Sequence, residues 1–428
     1  MKRVLIALVS LFVFTVIVFA AYGAFFFATL IIHINNAADC LPQELKMARQ
    51  AGINADPSHF QQTLPPARLN AAIDYDRLTE LLKKHPFTSN QMVALSRLDH
   101  SDCISKQSNI ACKTVAQRGN LMKLVYAAVS KPDCVFEKDW THVFNIHFSE
   151  LKTLRTAYYL LRAESLAQER RGQWKQAIKT QTMGFKLARD AGTDPIFIAL
   201  IDESDLDYDV LIGMRDILRR YANNPLAVQL IHDEVSSDIM DPDLKKAVQG
   251  EIIMAISSCN MVVNGESVED DNGFESMSNG KLADANMAIT LKELIPLYKA
   301  ACLKLPRRTQ AIDNAIDGIN RDMNHAFHIK DITWLLSSEL LVPLTNYFKV
   351  MGTGAFTERS ILLASTAVLE YHAKHGAYPA SLDEIAPETL HPFRGNPVTY
   401  RRTKQGFIVK GAPKPMDIYH AHLFFQYP

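Results

Sequence analysis

The stretch LKTLRTAYYLLRAESLAQERRGQWKQAIKTQTMGFKLARDAG, residues 151–192, decides the fold class. Leu151, Leu154, Tyr158 and Leu161 recur at three- and four-residue intervals, which puts them on one face of a helix. Arg170-Arg171-Gly172 breaks that pattern, and Trp174, Ala177, Ile178, Phe185 and Ala188 then form a second apolar face. Gly192 and Pro195 end the second helix. A third is predicted from about Ile196 to Tyr221, with Leu211, Met214, Leu218 and Tyr221 inward. Two antiparallel helices around a glycine turn make a hairpin, and stacked hairpins share a continuous core.

On either side the pattern stays helical. Residues 34–150 read as short helices punctuated by Pro57, Pro65-Pro66, Pro86 and Pro132. Residues 225–258 and 282–352 are also helical, with a loop at 260–280 between them. That loop holds Glu266, Glu269, Asp270, Asp271 and Glu275, but lacks the acid spacing of a calcium-binding EF-hand. It reads as a solvated loop. Ile332 to Met351 is apolar yet interrupted by Glu339 and Pro343, so a buried core helix is expected there rather than a membrane span.

The N-terminus differs from everything after it. Met1, Lys2 and Arg3 precede Val4 to Ile32, a run with no charged residue. A bilayer core needs roughly 20 apolar residues in helix, so residues 4–32 predict a transmembrane anchor. The rival is a cleaved signal peptide ending near Ala20, Ala21 or Ala24. Cleavage there would leave Phe25-Phe26-Phe27 and Leu30-Ile31-Ile32 as an apolar new terminus. Asp39 before Cys40 argues against a lipoprotein signal. Lys2 and Arg3 keep the terminus cytoplasmic, so the bulk is expected in the periplasm of a bacterial inner-membrane protein. Without those two residues, 44 of the 46 basic side chains remain against 46 acidic, which argues against a nucleic-acid surface.

In an oxidising compartment six cysteines suggest disulfides, with many possible pairings. Cys103 with Cys112 and Cys259 with Cys302 are the first two expected pairs, leaving Cys40 with Cys134; buried free thiols are the alternative. No CxxC is present, which weakens zinc-ribbon and thioredoxin readings.

Near the C-terminus, Leu362, Leu363, Thr366 and Leu369 mark a helix that ends at Gly376. Tyr378-Pro379 turns, and Ser381 with Glu384 reads as a capping box. His391 to Pro397 is a loop, and Val398–Arg402, a turn at Thr403–Gly406, and Phe407–Lys410 predict a β-hairpin.

Two resemblances follow from these residues. Ala163 to Ile178, with Gly172, Trp174, Ala177 and later Gly184, is similar to a tetratricopeptide hairpin, although no second copy recurs at a 34-residue period. Residues 358–412, through HGAYPASLDEI and HPFRGNPVTYR, resemble the end of type II secretion pseudopilins. Two features depart from that family. No prepilin cleavage motif precedes this helix, and His391 replaces the loop acid, which weakens any pseudopilin-type calcium site. The whole layout resembles a broad group of bacterial membrane-anchored envelope proteins, which implies a topology and no chemistry.

Chemical motifs are sparse. GxSxG, P-loop and GxGxxG patterns are missing. His372, His375, His420 and His422 are the candidate metal ligands, without the HExxH spacing. His372 and His375 equally suit a helix C-terminus. Ser101-Asp102-Cys103 near His100 mimics a triad fragment, but a disulfide cysteine is no nucleophile. No catalytic residue and no cofactor are expected.

The expected fold is mainly α: an anchor at 1–33, a helical region at 34–150, an irregular helical-hairpin domain at 151–352, and a small α+β module with a β-hairpin at 353–428. The expected function is non-catalytic protein–protein interaction at the membrane, as an accessory subunit of an envelope assembly. A periplasmic metal-dependent or hydrolytic enzyme and a secretion or pilus component are the alternatives.

Overall fold

A computed structural model describes residues 28–29, 31–54, 56–98, 105–140, 146–237, 243–264, 280–304, 307–328, 335–385, 398–411 and 424–427. Among these the protein is mainly α, with 13 helices and one small antiparallel sheet. The anchor expected at 4–32 falls almost wholly outside them. Among the described residues no helix is long and apolar enough to cross a membrane.

The chain divides into two compact units. The larger comprises 58–251, 301–310 and 346–428; the smaller comprises 1–57, 252–300 and 311–345. The region read as 34–150 is thus shared between the units, and the boundary read at 352–353 falls inside one helix.

In the smaller unit, α1 (Leu41–Gln50) ends in a turn through Gly52, whose φ of 82° suits glycine. The Tyr298 hydroxyl of α11 (Gly280–Ala301) donates to the Gly52 carbonyl at 3.4 Å. Ile34 and Ala38 pack on Leu282 and Ala285. Lys292 of α11 pairs with Asp322 of α12 (Arg307–His328) at 3.0 Å.

The larger unit is built on a stack of four helices: α6 (Ser149–Arg170), α7 (Trp174–Ala191), α8 (Phe197–Tyr221) and α9 (Pro225–Ser237). The α6–α7 turn is made by Gly172 at φ 74°. Its N–H donates to the Glu169 carbonyl and that of Gln173 to Gln168, so both freed carbonyls at the helix end are satisfied. Ser165 donates to the Ala177 carbonyl at 2.9 Å, and further along Tyr158 lies against Gly184, so the two helices run antiparallel. A Cβ at Gly184 would overlap Val210, which is why the small residue stands there.

Helices α6 and α8 run parallel and are braced by charges. Arg155 pairs with Asp202 and Asp205, Arg162 with Asp216 at 2.9 Å, and Glu169 with Arg220 at 2.7 Å. Arg155, Arg162 and Glu169 are seven residues apart, so they return to one side of α6 every two turns.

The groove left by α7, α8 and α9 is filled by the chain itself. The later part of helix α13 (Leu335–His375) fills it, and Ala355 to Leu369 is buried on almost every side. A helix apolar on one stripe lies on a surface, whereas one buried all round is core. Arg359 donates to Asp207 of α8 at 2.8 Å and to the Val235 carbonyl of α9 at 2.9 Å, and lies over the Phe185 ring of α7. Glu358 pairs with Arg215 at 2.9 Å, and His232 bonds Thr366 at 2.9 Å.

The sheet closes the far side of α13. Strands β1 (Thr399–Arg402), β2 (Phe407–Lys410) and β3 (Phe424–Tyr427) lie in that order, all antiparallel. The expected hairpin is extended by β3, with Phe407 opposite Tyr427. Phe407, Val409 and Phe425 join the same core as the helix stack. Gly411 lies so close to Thr357 that a Cβ would overlap it.

Helices α2 (Ala72–Lys84), α3 (Ser89–Ser96), α4 (Lys106–Gln117) and α5 (Gly119–Val129) pack on the other side of α6. Thr88 and Gln91 form a reciprocal capping box on α3. Asn70 makes paired bonds to the Val135 backbone at 2.8 and 2.9 Å, tying the entry of α2 to the strap after α5.

Candidate functional site

The turn joining α7 to α8, residues 192–196, is pinned from several directions. Glu251 of α10 (Leu244–Asn264) accepts the Phe197 N–H at 2.8 Å, so a carboxylate from another helix caps the first turn of α8. The adjacent Gly250 packs on Pro195 so tightly that a Cβ would overlap the Pro195 carbonyl. One turn earlier on α10, Lys246 donates to the Thr193 carbonyl at 2.7 Å, and Gln62 reaches the same oxygen at 3.5 Å. Lys138 pairs with both Asp194 and Glu150 and lies 4.2 Å from the Phe148 ring centre. Asp190, at the end of α7, pairs with Lys186 and accepts the Tyr75 hydroxyl at 2.8 Å.

Beside this turn lies an open recess of about 310 Å³, lined by Phe60, Gln62, Asp243, Lys245, Lys246 and Gln249. Phe60 is held edge-on against Trp140, with ring centres 6.0 Å apart. Burial lowers the Lys246 ammonium below the usual lysine range. Glu203 of α8 is within electrostatic reach of Asp243 and Lys246. Burial, reinforced by Asp207 one turn along, pushes its carboxyl up to about 8. Burial likewise lifts Glu251 to about 7, against the pull of its bond from Phe197. At neutral pH Glu203 is therefore largely a neutral acid. The recess presents two lysines and two amides against the single carboxylate of Asp243. Perturbed groups beside a cavity mark a candidate site.

The residues expected from sequence fall elsewhere. His372 stacks on Tyr378 with ring centres 4.1 Å apart, and His375 packs on Tyr371 at 4.2 Å. His420, His422, His100 and Ser101 to Cys103 lie outside the described residues, as do the acids of the 260–280 loop. Among the described residues no group of three or more His, Cys, Asp or Glu could hold a metal ion. Cys40, Cys112, Cys134 and Cys302 form no disulfide in the structure. The bond expected between Cys40 and Cys134 is not formed: Cys134 is buried beside Asp190, whereas Cys40 is exposed and donates to the Asn36 carbonyl at 3.3 Å. Cys112 donates its thiol to the Ala163 carbonyl at 3.9 Å and does not form the expected disulfide with Cys103, which lies outside the described residues. Cys302 is unpaired too, and nothing is described of the Cys259 side chain. The expected capping box at Ser381 is altered: Ser381 caps Asp383, but Glu384 reaches back to the Ala380 N–H at 3.2 Å and accepts from Tyr371 at 3.1 Å.

Sequence reasoning missed Lys138, Glu150, Asp194, Glu203, Asp207, Glu251 and Arg359. A signal existed for some. Asp207 falls on the same stripe as Leu211, Met214 and Leu218, and Glu358 lies four residues before Leu362. An acid on an apolar stripe must find a counter-charge or take up a proton.

No protein-family model, curated protein or solved structure matches this chain.

Proposed function

We propose that this is a non-catalytic, membrane-anchored periplasmic protein that holds a protein partner at the bacterial inner membrane, as an accessory subunit of an envelope assembly. The observation that carries this reading is where the charges go. Arg155, Arg162, Arg215, Arg220 and Arg359 each clamp an acid on a neighbouring helix rather than facing an open cleft. A helix stack braced in this way is a rigid platform. The anchor is supported by Ile31 and Ile32, the last two residues of the apolar run, which are 57% and 56% exposed where lipid would cover them. The tetratricopeptide-like hairpin at 163–178 belongs to the platform, with its groove occupied by α13. From the pseudopilin-like tail at 358–412, Ile361, Leu362, Val368, Leu369, Phe407 and Val409 join the same core. Partner contacts then fall on the outer faces and on the recess beside the α7–α8 turn.

The test is chemical crosslinking of the tagged full chain in its native membrane, followed by mass spectrometry of what copurifies. One defined neighbour in fixed stoichiometry is expected. A chain that crosslinks to nothing above background would sink the reading and turn attention to enzymatic or small-ligand assays.

A further inference from the structure

We infer that the side chains of Lys138 and Asp194 become joined by an amide bond, formed once by the folded chain with Glu150 carrying the proton. This self-modification goes beyond the interaction reading and does not depend on it.

Three features of the site point to it. First, the reacting groups already touch. The Lys138 Nζ contacts one carboxylate oxygen of Asp194 and one of Glu150, so the Asp194 carboxyl carbon is a single bond beyond an atom in contact with the nitrogen. Groups held together in this way react as if at very high concentration. Second, the site is dry. The side chains of Lys138, Glu150 and Asp194 are 6%, 9% and 5% exposed, and the Phe148 and Phe136 rings lie 4.2 and 5.7 Å from Nζ. Such a wall keeps out the water that would hydrolyse an amide, and a poorly solvated lysine is the better nucleophile. Third, the two acids stand in different settings. Glu150 lies in the first turn of α6, where the helix dipole suits a carboxylate that keeps its charge and accepts a proton. Asp194 lies in the α7–α8 turn, between the Thr193 carbonyl held by Lys246 and the Pro195 carbonyl packed on Gly250, so the electrophile is fixed in place. Lys186 supplies the contrast. It reaches Asp190 on its own helix, is 17% exposed, and meets no second carboxylate among the described residues.

The step balances without an oxidant or cofactor. One ammonium proton passes from Nζ to Asp194, leaving an amine beside a carboxylic acid. The nitrogen lone pair attacks the Asp194 carbon and forms the C–N bond. Glu150 takes a second proton from the nitrogen and delivers it to the departing hydroxyl, the C–O bond breaks, and one water leaves. The third hydrogen stays on the amide nitrogen, where it donates to Glu150. The bond ties the strap after α5 to the α7–α8 turn, 56 residues on, and closes that segment as a disulfide would.

The test is tryptic digestion of the full chain purified from its native membrane, denatured and reduced, and read by mass spectrometry. Peptides 124–152 and 190–215 should appear as one species, lighter than their sum by one water and uncut after Lys138, with fragment ions placing the joint at Lys138 and Asp194. Peptide 180–186, ending at Lys186, should appear in its ordinary form. Cleavage after Lys138 with 190–215 recovered alone would overturn the proposal, as would a joint at Glu150 inside 124–152. This reading needs no variant, so it stands whether or not the variants fold. In Glu150→Gln, with helical content checked by circular dichroism, the joined fraction should fall at least about ten-fold. An unchanged joined fraction in that folded variant would overturn the role given to Glu150.

Discussion

Replacing Glu203 by Gln should make the protein more stable at neutral and alkaline pH. Glu203 is only 8% exposed, and its carboxylate packs so closely on the α7–α8 turn that a Cβ at Gly192 would overlap it. Burial and Asp207 raise its pKa from 4.5 to about 8. The folded chain therefore holds this proton more tightly than the unfolded chain. The stability linked to that proton is fully present below pH 4.5 and is lost as pH rises towards 8. Each pH step of one between those limits removes about 1.4 kcal/mol, so the cost is about 1 kcal/mol at pH 5 and about 4 kcal/mol at pH 7.5. Gln keeps the shape and has no proton to lose. Urea unfolding of the full chain in mild detergent, followed by tryptophan fluorescence, measures this at the two pH values. Between pH 5 and 7.5 the parent should lose about 3 kcal/mol more than Glu203→Gln. The reasoning is refuted if the two proteins show the same pH dependence to within about 0.5 kcal/mol, a sixth of the expected difference.

Three further outcomes are expected. Arg359→Met leaves Asp207 buried without its cation and should cost about 3–5 kcal/mol; adding Asp207→Asn should restore part of it, as a double-mutant cycle by thermal denaturation would show. Gly250→Ala forces α10 away from Pro195 and should cost about 1–3 kcal/mol, read as a shift of the urea midpoint; a midpoint at the parent value would mean that the contact is not tight. In the fully reduced chain a thiol reagent should modify exposed Cys40 and Cys302 quickly and Cys134 only after denaturation, because burial pushes the Cys134 thiol far above the usual range.

The helices of the stack were legible because each carries its signal within a dozen residues. The stripe from Leu151 to Leu161, the stop at Gly172 and the second stripe from Trp174 predict α6 and α7 almost to their observed ends. The first two strands were legible for the same reason, since the turn closes locally through the Thr403 N–H to the Gly406 carbonyl at 2.8 Å. Strand β3 was not, because its only partner in the sheet, Phe407–Lys410, lies beyond residues 412–423. The candidate site was hardly visible at all. Gln62, Lys246 and Thr193 meet at one carbonyl, and no periodicity links residues 131 and 53 positions apart.

The amino-acid sequence alone determined the helical class, the turns and the apolar faces, because backbone hydrogen bonding and side-chain periodicity are local properties. Only the tertiary structure decided what fills the groove. The bonds that seat α13 join Arg359 to Asp207, 152 residues away, and Glu358 to Arg215, 143 residues away. Sequence reading predicted the hairpins that line that groove and nothing of what fills it. The fold spends it on the chain's own helix, because burying two charges there is tolerable only when each meets its counter-charge in the same dry interior.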